Sequence, residues 1–281
     1  MGKVGVVTGG NRGLGFALVK SLCQVWGNDG VVYLTARDAA KGRAAVEALN
    51  AEGLHPAFSA LDITEDESVT ALAEHIRATH GGIDVLIQNA AYAPAPDAPA
   101  IDEARAIVST NNHGTYRVLR AFQPLFRTDA RILVVASSFG TLASLDPRLH
   151  SRFCADDLAP EDVERRMDEF VAAVEDGRAK EEGWPDWVNI PSKVGQVALT
   201  RAFAQELARD ATAQRGVLVN AVCPGWTWTE ASRPYLERMP KVNAKMPDES
   251  AVDVIWLATL PPNASKPYGE LVQYREVVPF K

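Results

Sequence analysis

Short apolar runs alternate along the chain with longer amphipathic stretches. Seven of the runs have the length and composition of buried strands, at residues 4–7, 31–35, 57–61, 85–88, 132–136, 217–222 and 271–273. The amphipathic stretches predict helices at residues 15–26, 39–51, 67–79 and 192–210. Strands that alternate with helices form right-handed βαβ units. The pattern therefore predicts an α/β fold, a single doubly wound domain over residues 1–281 in which helices flank a parallel sheet.

The segment 144–186 interrupts this alternation. It is polar and charged, and a helix is predicted from Pro160, a residue favoured in the first turn, to about Val174. Because the segment follows the carboxyl end of a strand, where open α/β sheets bind ligands, we expect it to form part of the substrate pocket. A surface excursion and an interface to another subunit are the alternatives.

A glycine-rich loop, TGGNRGLG at residues 8–15, joins the first strand to the first helix. Glycine lets the backbone turn tightly and approach a pyrophosphate, while the start of a helix offers unpaired N–H groups. The spacing differs from G-x-G-x-x-G, but the strand and the helix stand where that motif requires them. The loop predicts a Rossmann-type dinucleotide site with contacts from Gly9, Asn11, Arg12, Gly13, Leu14 and Gly15.

Arg37 ends the second strand, where NAD enzymes use an acidic residue for the ribose hydroxyls. A guanidinium pairs well with a 2′-phosphate, and Arg12 is a candidate second contact. The two arginines therefore favour NADP(H) as the cofactor. In the alternative, both arginines are simply solvated and Asp38 neutralises Arg37.

Composition and charge mainly exclude certain classes of protein, binding partner and metal site. The 281 residues are 47% hydrophobic and 23% charged, as in ordinary globular proteins. A net charge of −7 without a basic run argues against nucleic acid and membranes as partners. Three cysteines and five histidines without ligand spacing argue against a metal site. Since no run has bilayer length and the first residues lack a signal-peptide pattern, we expect a cytoplasmic protein.

Ordered motifs along nearly the whole chain resemble the short-chain dehydrogenase/reductase family, and within it the monomeric carbonyl reductases. Beyond the glycine loop, the matching segments are LDI at 61–63, QNAA at 88–91, TNNHGT at 110–115, SS at 137–138 and the run 219–229. QNAA departs from the family's N-N-A-G at both ends. The resemblance implies further cofactor contacts from Asp62, Ile63, Asn89, Ala90, Lys193, Pro224, Gly225, Thr227 and Thr229. The insertion and EGWP at 182–185 resemble those of the monomeric enzymes, so we expect a monomer.

The resemblance also implies a catalytic set with one departure. Family members carry Tyr-x-x-x-Lys, in which the tyrosine protonates the substrate oxygen and the lysine lowers its pKa and holds the nicotinamide ribose. Here residues 189–193 read NIPSK, so Asn189 takes the tyrosine position, while Ser138, Lys193 and the structural Asn111 are retained. An amide cannot protonate an alkoxide. A positioned acid contributes about 10²–10⁴-fold, and we therefore expect slow reduction of ordinary ketones.

An iminium ion needs no proton donor, because hydride converts it to a neutral amine. Asp186, between Trp184 and Trp187, is a candidate counter-ion, since a carboxylate beside aromatic faces suits a flat cationic heterocycle. In the alternative, Asp186 caps the following helix and the tryptophans belong to the core. Further candidates for the pocket or for a substitute acid are Tyr92, Trp226, His113 and Ser138.

In losing the tyrosine, the chain resembles family members of fungal indole-alkaloid metabolism that reduce an iminium and steer a cycloaddition. The resulting hypothesis is an NADPH-dependent reductase of specialised metabolism. It would act on an activated C=N or C=O group of a hydrophobic heterocycle, with a stereocontrolled Diels–Alder-type cyclisation as a coupled step. The alternatives are a non-redox cyclase or isomerase that retains NADP, a carbonyl reductase with a substitute acid, and a nucleotide sensor.

Overall fold

One eight-stranded sheet lies at the centre of the computed structural model, which describes residues 2–154, 157–209 and 215–281. The strands are Lys3–Val7 (β1), Gly30–Ala36 (β2), Ala57–Ala60 (β3), Ile83–Gln88 (β4), Phe126–Val135 (β5), Leu218–Cys223 (β6), Leu271–Gln273 (β7) and Glu276–Val278 (β8). Their order is β3-β2-β1-β4-β5-β6-β7-β8. All neighbours are parallel except β7 and β8. The predicted doubly wound α/β architecture is confirmed.

Helices cover both faces of the sheet. They are Gly13–Trp26 (α1), Ala39–Ala51 (α2), Asp66–His80 (α3), Ala100–Ile107 (α4), Gly114–Phe122 (α5), Pro147–Phe153 (α6), Pro160–Glu175 (α7), Ala179–Glu182 (α8), Asn189–Ala208 (α9), Arg233–Leu236 (α10) and Pro247–Ala258 (α11). A π-helical turn, Val108–His113, joins α4 to α5. None of the helices in these described ranges is long and apolar enough to cross a membrane.

Each face of the sheet has its own hydrophobic core. On one face, α1, α2 and α11 bury residues such as Leu22 and Val254. On the other, α3, α4, α5, α7 and α9 bury a larger set that includes Phe122, Phe170 and Phe203. Burial of such side chains contributes on the order of 1.5–3 kcal/mol each, so both layers hold the strands in register.

Local signals set several helix boundaries. The Asp38 carboxylate caps α2 by accepting a hydrogen bond from the Lys41 amide at 3.0 Å. Pro160 opens α7, and the Asp162 carboxylate accepts from the Ala159 amide at 3.0 Å. Gly81 ends α3 in the left-handed conformation, with φ of 73°. Of these three signals, only Pro160 contributed to the sequence prediction.

The sequence prediction covers only part of the elements that the structure contains. All seven predicted strands are present, but β5 begins six residues earlier than expected, in the polar stretch before Ile132. The short, largely exposed β8 and the helices α4, α5 and α11 were not predicted. Asp210, the predicted last residue of the helix from 192, lies outside the described residues.

Most of the segment 144–186 forms a helical layer on the sheet's α9 side. It contains α6, α7 and α8, while residues 155 and 156 lie outside the described ranges. Helix α7 spans Pro160–Glu175 against a predicted 160–174, and it buries Val163, Met167 and Phe170 in the core next to α9. Among the described residues of this segment, Asp186 alone lines a cavity at the carboxyl edge of the sheet.

The strand order reverses between β1 and β4. Chain continuity leads from β1 outward to β2, whereas β4 leads to β5 on the opposite side. The loops after β1 and β4 therefore diverge at the carboxyl edge of the sheet, and such a switch point opens a crevice for ligands. The candidate site lies in this crevice.

Candidate active site

The glycine loop has a backbone that side chains would not allow. Gly9 and Gly13 have φ of 66° and 54°, in the left-handed region. A Cβ on Gly15 would lie 2.1 Å from the Gly9 carbonyl oxygen. The Gly10 amide donates to the Thr35 carbonyl at 2.8 Å, which ties the loop to β2. The loop is thus held close to the sheet edge with its backbone open to the cleft.

The start of α1 is suited to bind an anion. Arg12 occupies the cap position in an extended conformation, and no side chain there accepts a hydrogen bond from the first-turn amides. Those amides and the positive end of the helix dipole are therefore left for a ligand. The cleft beside them has a volume of about 670 Å³ and is lined by all six predicted loop residues, Gly9, Asn11, Arg12, Gly13, Leu14 and Gly15.

Four more predicted residues, Asp62, Ile63, Asn89 and Ala90, also line this cleft. The Asn89 amide group donates to the Thr8 and Gly9 carbonyls at 3.0 and 3.2 Å, which joins the end of β4 to the glycine loop. Burial disfavours ionised Asp62, but hydrogen bonds from Thr64 and the charge of Arg37 outweigh it and hold its pKa below the usual value. A charged carboxylate thus faces the cleft.

Two arginines lie at the cleft in different circumstances. Arg37 lines the cleft and is exposed, and Asp38 is engaged in capping α2 rather than in neutralising it. Arg12 forms an exposed ion pair with Glu230 across the mouth of the cleft. Arg37 is therefore available to a phosphate, whereas Arg12 first has to leave Glu230.

A second, inner cavity of about 290 Å³ adjoins the cleft. It brings together Ser138, Asn189 and Lys193, three residues that the sequence assigned to catalysis. Asn189 and Lys193 are one turn apart at the start of α9. The predicted residues Tyr92, Trp187, Pro224, Gly225, Trp226, Thr227 and Thr229 also line it. Within the described ranges, no group of three His, Cys, Asp or Glu side chains is placed to hold a metal ion.

Lys193 is held by a chain of hydrogen bonds. Its Nζ donates to Gln196 Oε1 at 2.7 Å and approaches the Val135 carbonyl at 3.5 Å. Gln196 Nε2 donates to Thr115 Oγ1 at 3.4 Å, and the Thr115 hydroxyl donates to the Asn111 carbonyl at 2.6 Å. Burial lowers the pKa of the Lys193 ammonium to about 8. The cation is thus fixed in the cavity and exchanges its proton far more readily than an exposed lysine.

Asn111 lies behind the cavity wall rather than in the cavity. It is completely buried in the π-helical turn, a feature common at functional sites. Its side-chain oxygen accepts from the Tyr92 amide at 2.7 Å, and its Nδ2 donates to the Ser192 hydroxyl at 3.2 Å. Asn111 thus fixes the chain after β4 to the start of α9, and its carbonyl ends the hydrogen-bond chain that holds Lys193.

Three phenols line the inner cavity. The hydrogen bond with Glu103 raises the pKa of Tyr92, and burial raises that of Tyr235, whose hydroxyl donates to the Pro94 carbonyl at 2.5 Å. Tyr274 lies against Gly225 with Lys245 4.5 Å above its ring, and its hydroxyl forms no hydrogen bond with a described residue. Among them, only Tyr274 keeps its hydroxyl unengaged.

Trp184 and Trp187, the aromatic residues before α9, lie in different surroundings. Trp187 lines the inner cavity, but Trp184 is 3% exposed and packs against Phe153 and Phe170 at ring distances of 6.2 and 5.0 Å. The prediction that Trp184 belongs to the pocket is wrong, because its ring points into the helical layer. Asp186 does not cap α9, which begins after Val188 without a side-chain cap.

Asp186 faces a third, outer cavity of about 440 Å³. Trp187 and Trp226 line both this cavity and the inner one, whereas Asp186 does not reach the cavity of Asn189 and Lys193. Sequence reasoning missed Phe139 and Tyr235, which separate the two cavities, and Gln196. The position of Gln196, three residues after Lys193 on a buried helix face, was the available signal.

Comparisons with known proteins agree with this geometry. The short chain dehydrogenase family model matches residues 3–146. Carbonyl reductase [NADPH] 1 of Pongo abelii is 37% identical over 278 residues, which cover 98% of this chain and 97% of that protein. The Sus scrofa protein of the same name is 38% identical over 280 residues, with 98% and 93% covered.

Among solved structures, salutaridine reductase from Papaver somniferum superimposes with a TM-score of 0.82 and 25% identity, covering 96% of this chain and 99% of that chain. The family model covers the glycine loop and β1–β5, and the likeness to this structure also covers most of the remaining chain. By sequence, architecture and site, the chain belongs to the short-chain dehydrogenase family.

Proposed function

We propose that the protein is an NADPH-dependent reductase of an activated C=O or C=N group in a hydrophobic small molecule. The observation that carries the proposal is the inner cavity, in which Ser138, Asn189 and Lys193 meet beside the glycine-rich cleft. The relatives named carbonyl reductase [NADPH] support the cofactor and the reaction type.

The cleft fits the cofactor residue by residue. The first-turn amides of α1 would hold the pyrophosphate, Arg37 the 2′-phosphate, and Lys193 the nicotinamide ribose. The fit rests on the missing side chain of Gly15 and on the uncapped start of α1. When bound, NADPH supplies the hydride that reaches the substrate carbon.

The residues of the inner cavity then decide which substrates react. We place Asn189 where the family has its tyrosine, and its amide supplies no proton. Lys193, held by Gln196 and with a pKa of about 8, lines the same cavity as Asn189. For a carbonyl substrate it would stabilise the developing alkoxide and give it a proton. An iminium substrate becomes a neutral amine on receiving hydride and needs no proton.

Two competing proposals remain. Because Tyr274 keeps its hydroxyl unengaged at the inner cavity, an ordinary ketone reductase with Tyr274 as the proton donor is the first. The second is a non-redox cyclase of specialised, alkaloid-type metabolism, in which NADP stays bound and the cavity only orients its substrate. A cyclisation that follows iminium reduction would instead be a step coupled to the reductase reaction.

The test is a panel of ketones, quinones and cyclic iminium ions assayed at 340 nm. The proposal expects one NADPH consumed per product, with iminium ions or quinones turned over faster than simple ketones. Tyr274→Phe should keep that activity, whereas a loss of 10²-fold or more would identify Tyr274 as the acid. Product formation at constant NADPH absorbance would contradict the reductase and support the cyclase.

We also propose that the protein is a monomer. Helix α7 packs against α4 and α9. Arg120 and Tyr116 of α5 both bind Glu161, at the start of α7. These contacts occupy the outer face of α4 and α5 within one chain. Light scattering should therefore give the mass of one chain, and a dimer or tetramer mass would contradict this.

A further inference from the structure

We propose that the outer cavity binds a protonated amine at the far end of the substrate, with Asp186 as its counter-ion. The inference rests on the proposed function for the identity of the inner cavity as the reaction site. It concerns a different place in the molecule. The sequence placed Asp186 beside the reacting group, whereas the structure places its carboxylate at a separate cavity.

The inner and outer cavities share a wall. Phe139, Trp187, Trp226 and Tyr235 line both of them, together with Pro94. A substrate longer than one ring can therefore place its C=O or C=N group near Lys193 and extend past Trp187 into the outer cavity. The combined volume of about 290 and 440 Å³ suits a drug-sized ligand.

The shared wall is aromatic and fixed. The Trp187 ring lies 5.3 Å from Phe139 in an edge-on arrangement and 5.5 Å from Tyr235. Phe139 also lies edge-on to Trp226, at 6.3 Å. Such faces attract a cation through their quadrupole, and tryptophan does so best. The wall thus favours a flat or positively charged group over an anion.

The charges around the outer cavity give it a negative balance. Arg238, the cation that lines it, is paired with the Asp97 carboxylate through both terminal nitrogens, with Nη1 to Oδ1 at 2.6 Å. Asp186 is exposed and forms no ion pair or hydrogen bond with a described residue. One carboxylate is therefore left without a partner beside the aromatic wall.

An ammonium group can interact with both the unpaired carboxylate and the aromatic wall. It would pair with Asp186 and lie against the indole rings, whereas a neutral or anionic group gains neither contact. Because Asp186 is exposed, the expected preference is about tenfold rather than thousandfold. The inferred substrate class is an aromatic or polycyclic amine that carries its reducible group several bonds away from the nitrogen.

Calorimetric binding of two probes of equal length tests the inference, with and without saturating NADP⁺. The probes are 4-phenylbutylamine, which is charged at pH 7, and 4-phenylbutan-1-ol, which is not. At low ionic strength the amine should bind at least tenfold more tightly than the alcohol. Asp186→Asn should reduce this difference severalfold, to the smaller preference that the indole rings provide, and leave the alcohol's affinity unchanged.

Two further variants sharpen the result. Arg238→Gln leaves Asp97 and Asp186 unopposed and should increase the preference for the amine. Glu237→Gln removes an exposed carboxylate of the same region that does not line the cavity, and it should change nothing. Equal affinities of the two probes in the native protein, or a preference that Asp186→Asn leaves undiminished, would overturn the inference. Because binding is measured without turnover, failure of the reductase proposal leaves this outcome intact.

Discussion

The cofactor cleft and the two substrate cavities are built in different ways. The cleft presents backbone, with two left-handed glycines, the uncapped start of α1 and a Gly15 whose Cβ would collide with a carbonyl. The cavities present side chains, among them a lysine held by Gln196 and the aromatic wall around Trp187. A site formed by backbone tolerates few substitutions, and its shape suits one kind of ligand. Side-chain walls can be replaced one residue at a time while the cleft beside them stays the same.

The largest effect is expected on the cavity side, from Asn189→Tyr. A phenol one helical turn from Lys193 would regain a proton donor whose pKa the ammonium lowers. We expect kcat/KM for simple ketones to rise by about 10²–10⁴-fold, because that is the contribution of a positioned acid. NADPH affinity, measured by cofactor fluorescence, should stay the same.

Asn189→Phe is the matched control, since it adds the ring without the hydroxyl and should give no gain. A folded, NADPH-binding Asn189→Tyr variant that remains as slow as Asn189→Phe would contradict the prediction. It would show that the aromatic wall, and not the missing acid alone, sets the substrate. The two sides of the site would then differ in shape as well as in chemistry.

The same contrast explains what the sequence could predict. The glycine loop and Arg37 act through a continuous stretch of chain, so their positions follow from the order of strand, loop and helix. Asn189 and Lys193 share a helix face, so their meeting also follows from sequence spacing. These local relations were sufficient for the sheet architecture and for the glycine-loop part of the cleft, whereas Asp62 and Asn89 were expected only from the family resemblance.

Positions set by packing between distant segments could not be predicted. Trp184 and Trp187 are three residues apart, yet Phe153 and Phe170 draw the first into the helical layer while the second lines the cavities. Tyr274 reaches the inner cavity from the turn between β7 and β8, and β8 has no apolar pattern of its own. Helical or strand periodicity carries no information about such pairings.

A smaller effect is expected on the cofactor side, from Arg37→Ala. Loss of a charge-assisted contact to a 2′-phosphate should weaken NADPH binding by about 10–100-fold, from a contribution of roughly 1.5–3 kcal/mol. NADH binding should change by less than twofold, so the preference for NADPH should largely disappear. Titration of both cofactors by fluorescence measures the ratio.

Arg43→Ala serves as the control for Arg37→Ala, because Arg43 is an exposed arginine of α2 that stacks on Phe58 away from the cleft. It should leave the ratio of the two affinities unchanged. Equal binding of NADPH and NADH by the native protein would refute the role of Arg37. The cofactor cleft would then recognise its ligand through backbone groups alone, without a contribution from the Arg37 side chain.

The smallest effect concerns His113, which connects the cavity side to the added helical layer. Its Nδ1 contacts Glu164 at 2.5 Å and its Nε2 contacts Asp168 at 2.9 Å, both on α7. The hydrogen bond with Glu164 and the charges of both carboxylates raise the pKa of His113 above 6.5, against the opposing effect of burial. The folded protein therefore binds this proton more tightly than the unfolded chain does.

The sign of the linkage gives the pH dependence of His113→Gln. The stabilisation from charged His113 is complete below pH 6.5 and is lost as the pH rises through the raised pKa. Burial raises the pKa of Glu164 and the contact with His113 opposes that rise, so the difference between native protein and variant measures the His113–Glu164 pair rather than the histidine alone. At pH 6 the native protein should be more stable by about 1 kcal/mol, and the gap should close at alkaline pH. Denaturant unfolding at several pH values measures this difference in the free energy of unfolding. A difference that stays constant with pH would mean that the shape of His113, rather than its charge, stabilises α7. NADPH affinity should stay unchanged throughout.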